Sequence, residues 1–413
     1  MSFRSSQWRL VETEAMTSEL SASPKVAVIG GSLGGLMAAV ALRGAGCAVD
    51  VYERVPQRLE GLGAGLRIVP EMASLLEDRA GINLRDASTF TPFFRQIGAG
   101  NRVVANLPIP GQFTSWGALH RALSSAFEAA HYHLGEACVG VDPQPDCIAV
   151  RFASGRVERV DLVVFADGIL STGRRLIAPE ARLAYAGYVT WRGYLPAADL
   201  SAATRELFAD AVTYVVIDHS HGAIYPIPDP NGIARGPSFF NFVWYRNVAE
   251  GAALDDLMTD RGGALRPISL PAGMLQPRHA ARIKDDAEAL LPPAAAEVVC
   301  RTREPFLQAL YDVTVERMAA GRACLIGDAA FATRPHAGAG TTKAAVDAWR
   351  LAEKLAACGG DVPAALAAWE PDQLAVGRAF VKRNQAMGHL SLVANRFDPT
   401  SPEIRPGLYG PGR

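Results

Sequence analysis

What this sequence lacks removes several classes of function before any motif is read. Its six cysteines, Cys47, Cys138, Cys147, Cys300, Cys324 and Cys358, form no C-x-x-C pair and have no histidine at metal-ligand spacing. No metal is therefore expected, nor a disulfide framework, and the thiols read as reduced and mostly buried. Lys and Arg together number 41 against 42 Asp and Glu, a formal net charge of −1. That balance supplies neither a basic stripe for nucleic acid nor the charge excess of an acidic disordered chain. No apolar run is long enough to span a bilayer, so no membrane is expected, and the expected partner is a small molecule. There is no internal repeat and no low-complexity run. Met1 to Pro24 carries Arg4, Arg9, Glu12, Glu14 and Glu19 without an apolar core. Residues 1–24 thus read as a flexible leader with Met16 as an alternative start, and the expected address is cytoplasmic. A homodimer is left open.

The chain has 413 residues, 49% of them hydrophobic, which is more than one core usually holds, and two lobes sharing an interface are expected. Lys25 to Ile29 reads as a strand, followed by a Gly-rich turn, an Ala/Leu-rich helix from about Leu36 to Ala45, and a second strand from Ala48 to Tyr52. This is a βαβ unit opening a parallel sheet. Trp116 to Ala130 reads as a helix, and Val160 to Phe165 as a buried strand. Between Tyr185 and Val248 the pattern becomes alternating and aromatic-rich, with strands at Tyr188–Leu195, Ala211–Ile217, Ala223–Ile227 and Phe239–Tyr245. Asp218 to Gly222 reads as an exposed hairpin turn, which gives His219 and His221 solvated roles. Helical patterns follow at Lys284–Val299 and from Gly340 onward, broken near Gly359-Gly360. The fold class is α/β: a Rossmann-like dinucleotide-binding domain with an inserted α+β antiparallel-sheet substrate domain and C-terminal helices. The expected division is 25–180, with 70–110 contributing to the substrate side, then 181–300, 301–358 and 359–413.

The opening turn, Gly30-Gly31-Ser32-Leu33-Gly34-Gly35, follows G-x-G-x-x-G except that Ser32 stands at the second glycine. Such a turn lets the backbone and a helix N-terminus approach a pyrophosphate. Glu53 closes the second strand near the offset expected of a carboxylate that binds ribose hydroxyls. Strand, turn, helix, strand and acid occur in the right order. The alternative is a structural Gly-rich turn with an accidental acid, and this segment alone leaves FAD and NAD equally open.

Three separated motifs carry the choice: Gly30 to Gly35 with Glu53-Arg54, Ala166-Asp167-Gly168 with Ser171 and Arg174, and Gly327-Asp328-Ala329-Ala330. Together they resemble the class A flavoprotein monooxygenases of the p-hydroxybenzoate hydroxylase type. The resemblance runs from Lys25 to the last helices and implies bound FAD in a domain of the glutathione reductase type. It places Gly30, Ser32, Leu33, Gly35, Glu53, Arg54, Arg121, Asp167, Asp328, Gly338, Ala339 and Gly340 at the cofactor. In that family the acid matched by Asp328 holds the ribitol or ribose part of FAD, and the arginine matched by Arg121 its pyrophosphate. Pro335 to Gly340 resembles the segment that faces the flavin, with Thr341-Thr342 where many relatives carry an Asn. In the second lobe, Ala186 to Gly193, Tyr225 to Pro228 and Asn247 to Gly251 resemble the branch that hydroxylates dihydroxylated pyridines. That implies an electron-rich ring, O2, NADH or NADPH as a transient co-substrate with NADH favoured, a flavin C4a-hydroperoxide, and a place in nicotine or pyridine breakdown.

Such a ring reacts best as its anion, so a base or hydrogen-bond relay beside its hydroxyl is expected. His336 is the first candidate, from the flavin-facing segment, against a capping or packed imidazole. Tyr225 and Arg192 follow, on strands that would roof the cavity, against an ordinary core role. A flavin halogenase is disfavoured because W-x-W-x-I-P and its lysine are missing. A flavin-linked dehydrogenase or reductase of the same fold, and a non-catalytic dinucleotide-binding protein, remain alternatives.

Overall fold

The computed structural model describes residues 23–57, 59, 64–232 and 237–413. The expected leader, apart from its last two residues, and Met16 lie outside the described residues.

A six-stranded sheet runs in the order Ala319–Ala320, Ala323–Leu325, Leu162–Phe165, Lys25–Ile29, Ala48–Glu53 and Tyr132–Leu134. All but the short Ala319–Ala320 strand run parallel. Val26, Ala27 and Val28, like Leu162 to Phe165, are fully buried. That is the signature of strands covered on both faces, and it explains why they read as unbroken apolar runs. Helices Leu33–Gly44, Gly340–Ala357 and Val362–Gly388 supply much of this core.

An eight-stranded sheet forms the second lobe, in the order Ser269–Leu270, Phe306–Asp312, Ala184–Pro196, Pro237–Asn247, Ser220–Pro228, Ala211–Ile217, Phe93–Ile97 and Val103–Leu107. Period-two alternation divides its residues cleanly. Val189, Trp191, Ile224, Phe240, Phe242 and Trp244 share one core with helices Pro277–Leu290 and Pro293–Arg301. Arg192, His221, Tyr225, Val243 and Tyr245 face the opposite way, into a cavity. This sheet roofs the first lobe.

The structure corrects several expectations. The hairpin turn is only Asp218-His219, since Ile217 already pairs with Ser220, and His219 takes the left-handed turn conformation at φ 47. His221 therefore stands in the strand, 3% exposed. Lys284–Val299 is two helices, because Pro292-Pro293 cannot continue the first one. The Trp116 helix ends at Ser125. The boundary expected at residue 300 falls before Phe306–Asp312, which pairs with Ala184–Pro196 in the roof. A three-stranded sheet, Gly65–Ile68, Gly111–Ser115 and Thr89–Thr91, lies between the lobes.

Candidate active site

The first strand ends in a turn that only glycine can make. Gly30 has φ 105, and a Cβ there would stand 2.5 Å from the Ala166 carbonyl oxygen. A Cβ on Gly35 would stand 1.8 Å from the Gly30 oxygen, so the helix sits directly on the strand end. Ser32 occupies the N-cap but makes no side-chain cap bond, and the first turn holds no acid. Leu33 is buried. The first N–H groups of this helix thus keep their positive field for an outside anion. Glu53 is buried and accepts from the backbone N–H of Gly31 at 2.8 Å and of Val55 at 2.9 Å, and Arg54 beside it is exposed. A cavity of about 420 Å3 lies alongside, lined by Leu36, His120, Arg121, Tyr132 and Leu134 among others.

Arg121 lines that cavity, but its guanidinium donates to the carbonyl oxygens of Pro230 and Asp229. Asp167 is spent on capping helix Thr172–Ile177: it accepts from Ser171 Oγ and from the N–H groups of Thr172 at 2.6 Å and Gly173 at 3.2 Å. Its expected contact with the cofactor is therefore not through a free carboxylate. Arg174 is buried and donates to the carbonyl oxygens of Ile169, Asp328 and Ala329, which clamps the Asp167 loop to the Gly327-Asp328 corner.

That corner is anchored from below. Asp347 accepts from the Gly327 N–H at 2.9 Å and from Lys343 Nζ at 2.6 Å, and both side chains are almost fully buried. The Lys343 ammonium also lies 4.9 Å from the Phe331 ring centre. The Asp328 carboxylate makes no hydrogen bond among the described residues and lines the cavity, where it is exposed. Enclosure raises its pKa, against the pull of Lys343 and Arg174. Next to it, Gly338 at φ 59 turns the chain into Ala339, the N-cap, and Gly340, the first residue of an 18-residue helix with no side-chain cap and no acid in its first turn. FAD fits this framework: two uncapped helix N-termini lie side by side, with a Cβ on Gly34 falling 3.4 Å from Ala344 Cβ, and a free carboxylate stands at the corner between them.

The central cavity, about 350 Å3, opens between that corner and the roof. His336 is 7% exposed, stacks on Tyr245 at 4.5 Å, and shares a 2.7 Å hydrogen bond through Nε2 with the Tyr188 hydroxyl. Its Nδ1 is buried without a partner. Burial holds its pKa well below the ordinary value, helped by His221 and Arg334, so the imidazole is neutral. Arg334, doubly bonded to Asp312 at 3.0 and 2.9 Å, also hydrogen-bonds Tyr188. The Tyr188 hydroxyl thus fixes the orientation of the imidazole through Nε2.

Tyr225 and Arg192 line the cavity too, but both hold the backbone of Gly65. The Tyr225 hydroxyl donates to the Gly65 oxygen at 2.8 Å and Arg192 Nη2 to the same oxygen at 3.1 Å, while Asn241 Oδ1 accepts from the Gly65 N–H at 2.7 Å. A Cβ on Gly65 would stand 2.6 Å from the Tyr225 ring. Arg192 also donates to Gln308 at 3.0 Å, leaving its Nε buried and unpartnered.

Sequence reasoning missed Tyr188, Tyr245, His221 and Arg67 as site residues. His221 stacks on Tyr245 at 4.3 Å and on Phe397 at 4.2 Å, and its Nδ1 is 2.6 Å from Ser391 Oγ. Its signal was available: residues 221, 223 and 225 share one face of a strand.

The sequence matches the family model described as FAD binding domain-like over residues 185–312 and that described as FAD binding domain over 275–384. It is 38% identical over 387 residues to 2,6-dihydroxypyridine 3-monooxygenase of Paenarthrobacter nicotinovorans, covering 93% of this chain and 96% of that protein. It is 29% identical to 3-amino-4-hydroxybenzoate 2-monooxygenase of Streptomyces cremeus, covering 79% of this chain and 77% of that protein. The solved structure of 2,6-dihydroxypyridine-3-hydroxylase from Arthrobacter nicotinovorans superposes with a TM-score of 0.87 at 36% identity, covering 94% of this chain and 97% of the other.

Proposed function

The chain belongs to the FAD-dependent aromatic-ring monooxygenases, and from that membership we propose that it hydroxylates 2,6-dihydroxypyridine, or a near relative, at ring carbon 3. NADH is the donor and dioxygen the oxidant. The observation that carries this reading is the central cavity, whose one wall is the Asp328 and Gly338–Gly340 corner and whose other wall is the aromatic roof.

FAD bound in this framework would supply the redox chemistry that couples oxidation of NADH to transfer of one oxygen atom of O2. The turn at Gly30 to Leu33 would hold the FAD pyrophosphate, Glu53 and Asp328 would accept from FAD hydroxyls, and the N–H groups from Gly340 to Thr342 would serve the flavin end. His336 stands beside the substrate ring, its neutral imidazole, oriented by the Tyr188 hydroxyl, placed to take the ring's hydroxyl proton. Tyr225, Asn241 and Arg192 fix the floor of the roof through Gly65. Tyr245, Phe113 and Val243 supply apolar surface that keeps water from the reacting carbon.

The test is oxygen uptake and product analysis on FAD-loaded protein with NADH and a panel of hydroxypyridines and hydroxybenzoates. The expected result is NADH use that needs dioxygen and yields a trihydroxypyridine. Oxygen-independent turnover with a dye acceptor would establish a dehydrogenase instead, and a colourless protein indifferent to FAD would establish a binding module.

A further inference from the structure

Most arginines in and around the candidate site are held by acceptors of the protein itself. Arg192 donates to Gln308 and Gly65, Arg334 to Asp312, Arg174 to three carbonyl oxygens, and Arg121 to two. The Arg67 side chain, like that of the exposed Arg405, has no hydrogen bond and no ion pair among the described residues, and unlike Arg405 it is partly buried. It sits in the Gly65–Ile68 strand with its stem beside Gly338, where a Cβ would lie 3.5 Å from Arg67 Cδ, and its guanidinium 5.4 Å from the Phe113 ring centre. Aromatic faces satisfy part of a cation's field but accept no N–H bond. Burial works against its charge. Partly buried and without a protein acceptor, its N–H donors are left for solvent or for a bound anion.

Arg67 also marks a boundary. It lines the central cavity and, on its other side, an outer cavity of about 480 Å3 formed with Phe90, Phe94, Ile109, Pro399 and Arg405 among others. Among the described residues, no Asp or Glu lines the outer cavity, and Asp328 is the one carboxylate lining the central one. The path from Arg405, which is exposed, past Arg67 to the ring site is therefore positive and free of acids until the flavin corner.

We propose that Arg67 is the specificity-determining counter-ion for a substrate ring that carries an oxyanion, taken up through the outer cavity. The inference rests on the reading that the central cavity binds the substrate ring. The oxyanion has two sources of shared chemistry, an ionised ring hydroxyl or a ring carboxylate. Arg suits either, since its fork meets two lone pairs at once.

The experiment measures substrate dissociation constants on FAD-loaded enzyme without oxygen, from the flavin absorbance change, for wild type, Arg67→Gln and Arg67→Lys. The probes are 2,6-dihydroxypyridine, 6-hydroxynicotinate and the uncharged 2-hydroxypyridine. Arg67→Gln is expected to weaken the anionic ring about 10- to 100-fold and the uncharged ring less than about threefold, the range for a lost charge-assisted hydrogen bond. Arg67→Lys should recover most of that loss, and in turnover KM should rise far more than kcat falls. Whichever anionic probe shows the selective loss identifies the source of the charge. Equal weakening of charged and uncharged rings, or altered FAD affinity with an unchanged ratio between them, overturns the inference. If wild type hydroxylates dihydroxypyridine and the ratio stays fixed, Arg67 loses its role while the proposed function stands. If no hydroxypyridine is hydroxylated but 6-hydroxynicotinate binding still depends on Arg67, the counter-ion stands and the proposed substrate falls.

Discussion

His221 and His336 stand 5.4 Å apart between ring centres, both buried and both held neutral. Burial pushes the His221 pKa down to about 3. Above an ordinary histidine pKa neither folded nor unfolded chain protonates these rings, and no stability is lost. As pH falls below about 6.5 the unfolded chain takes up protons that the folded one refuses, so stability declines until the depressed folded value is reached, by up to about 1.4 kcal/mol per pH unit and histidine. Thermal melts from pH 7 to pH 4 should show this slope, and a His221→Phe protein should show a shallower one; equal slopes would mean that His221 is solvated after all. At the same scale, His336→Gln should lower the hydroxylation rate about a hundredfold and Tyr188→Phe by about tenfold. Flavin reduction by NADH should change much less in both, which stopped-flow traces separate. Neither Tyr188 nor Tyr245 was legible as part of the site from the sequence, and His221, whose strand face was legible, was misplaced. The strand Ser220–Pro228 is buried on both faces, so it shows no alternation of polar and apolar residues, and a turn drawn too long placed His221 in solvent. Arg67 was harder still, because its meaning lies in partners that it does not have, which no local pattern encodes.

Secondary-structure elements were read more surely where the physics is local. The Gly30 to Gly35 turn announces itself because the helix must sit within touching distance of the strand end, and only glycine allows it. The break at Pro292-Pro293 was equally written in the residues but was read through as one helix. The Gly340–Ala357 helix shows what a motif leaves out. Its start was legible, yet the buried Lys343–Asp347 pair that fastens it to the Gly327 N–H lies one and two turns further on and reads as an ordinary surface i, i+4 pair. Lys343→Met should destabilise the protein by about 3–5 kcal/mol, since it leaves a buried carboxylate without its cation. Denaturant melts measure the loss, and FAD should be released at lower denaturant than in wild type. A loss under about 1 kcal/mol would show that the pair is solvated in practice.

For the molecule as a whole, the order of the two lobes was readable from motif order and from the change of period near Tyr185. The assignment of Phe93–Ile97, Val103–Leu107 and Phe306–Asp312 to one sheet was not, because strand partners distant in sequence carry no shared local signal. The C-terminal segment completes the enclosure, with Phe397, Ile404 and Pro406 lining the central cavity. Arg383 holds this segment through the carbonyl oxygens of Arg405, Gly407 and Gly410. Phe397→Ala opens the wall beside His221. It should leave NADH oxidation nearly intact while shifting the products from hydroxylated ring toward hydrogen peroxide, by roughly a factor of two to ten in their ratio, which is the size of effect expected when water enters a closed site. An unchanged ratio would show that the tail does not seal the cavity.

The three side chains gripping the Gly65 peptide limit how such enzymes can be recombined. A roof grafted from another ring hydroxylase to change the substrate must bring an amide, a phenol and a guanidinium at the places of Asn241, Tyr225 and Arg192. Without them the chimera inherits a new ceiling that its floor cannot recognise. Swaps confined to residues between those three positions are the exchangeable part of the scaffold.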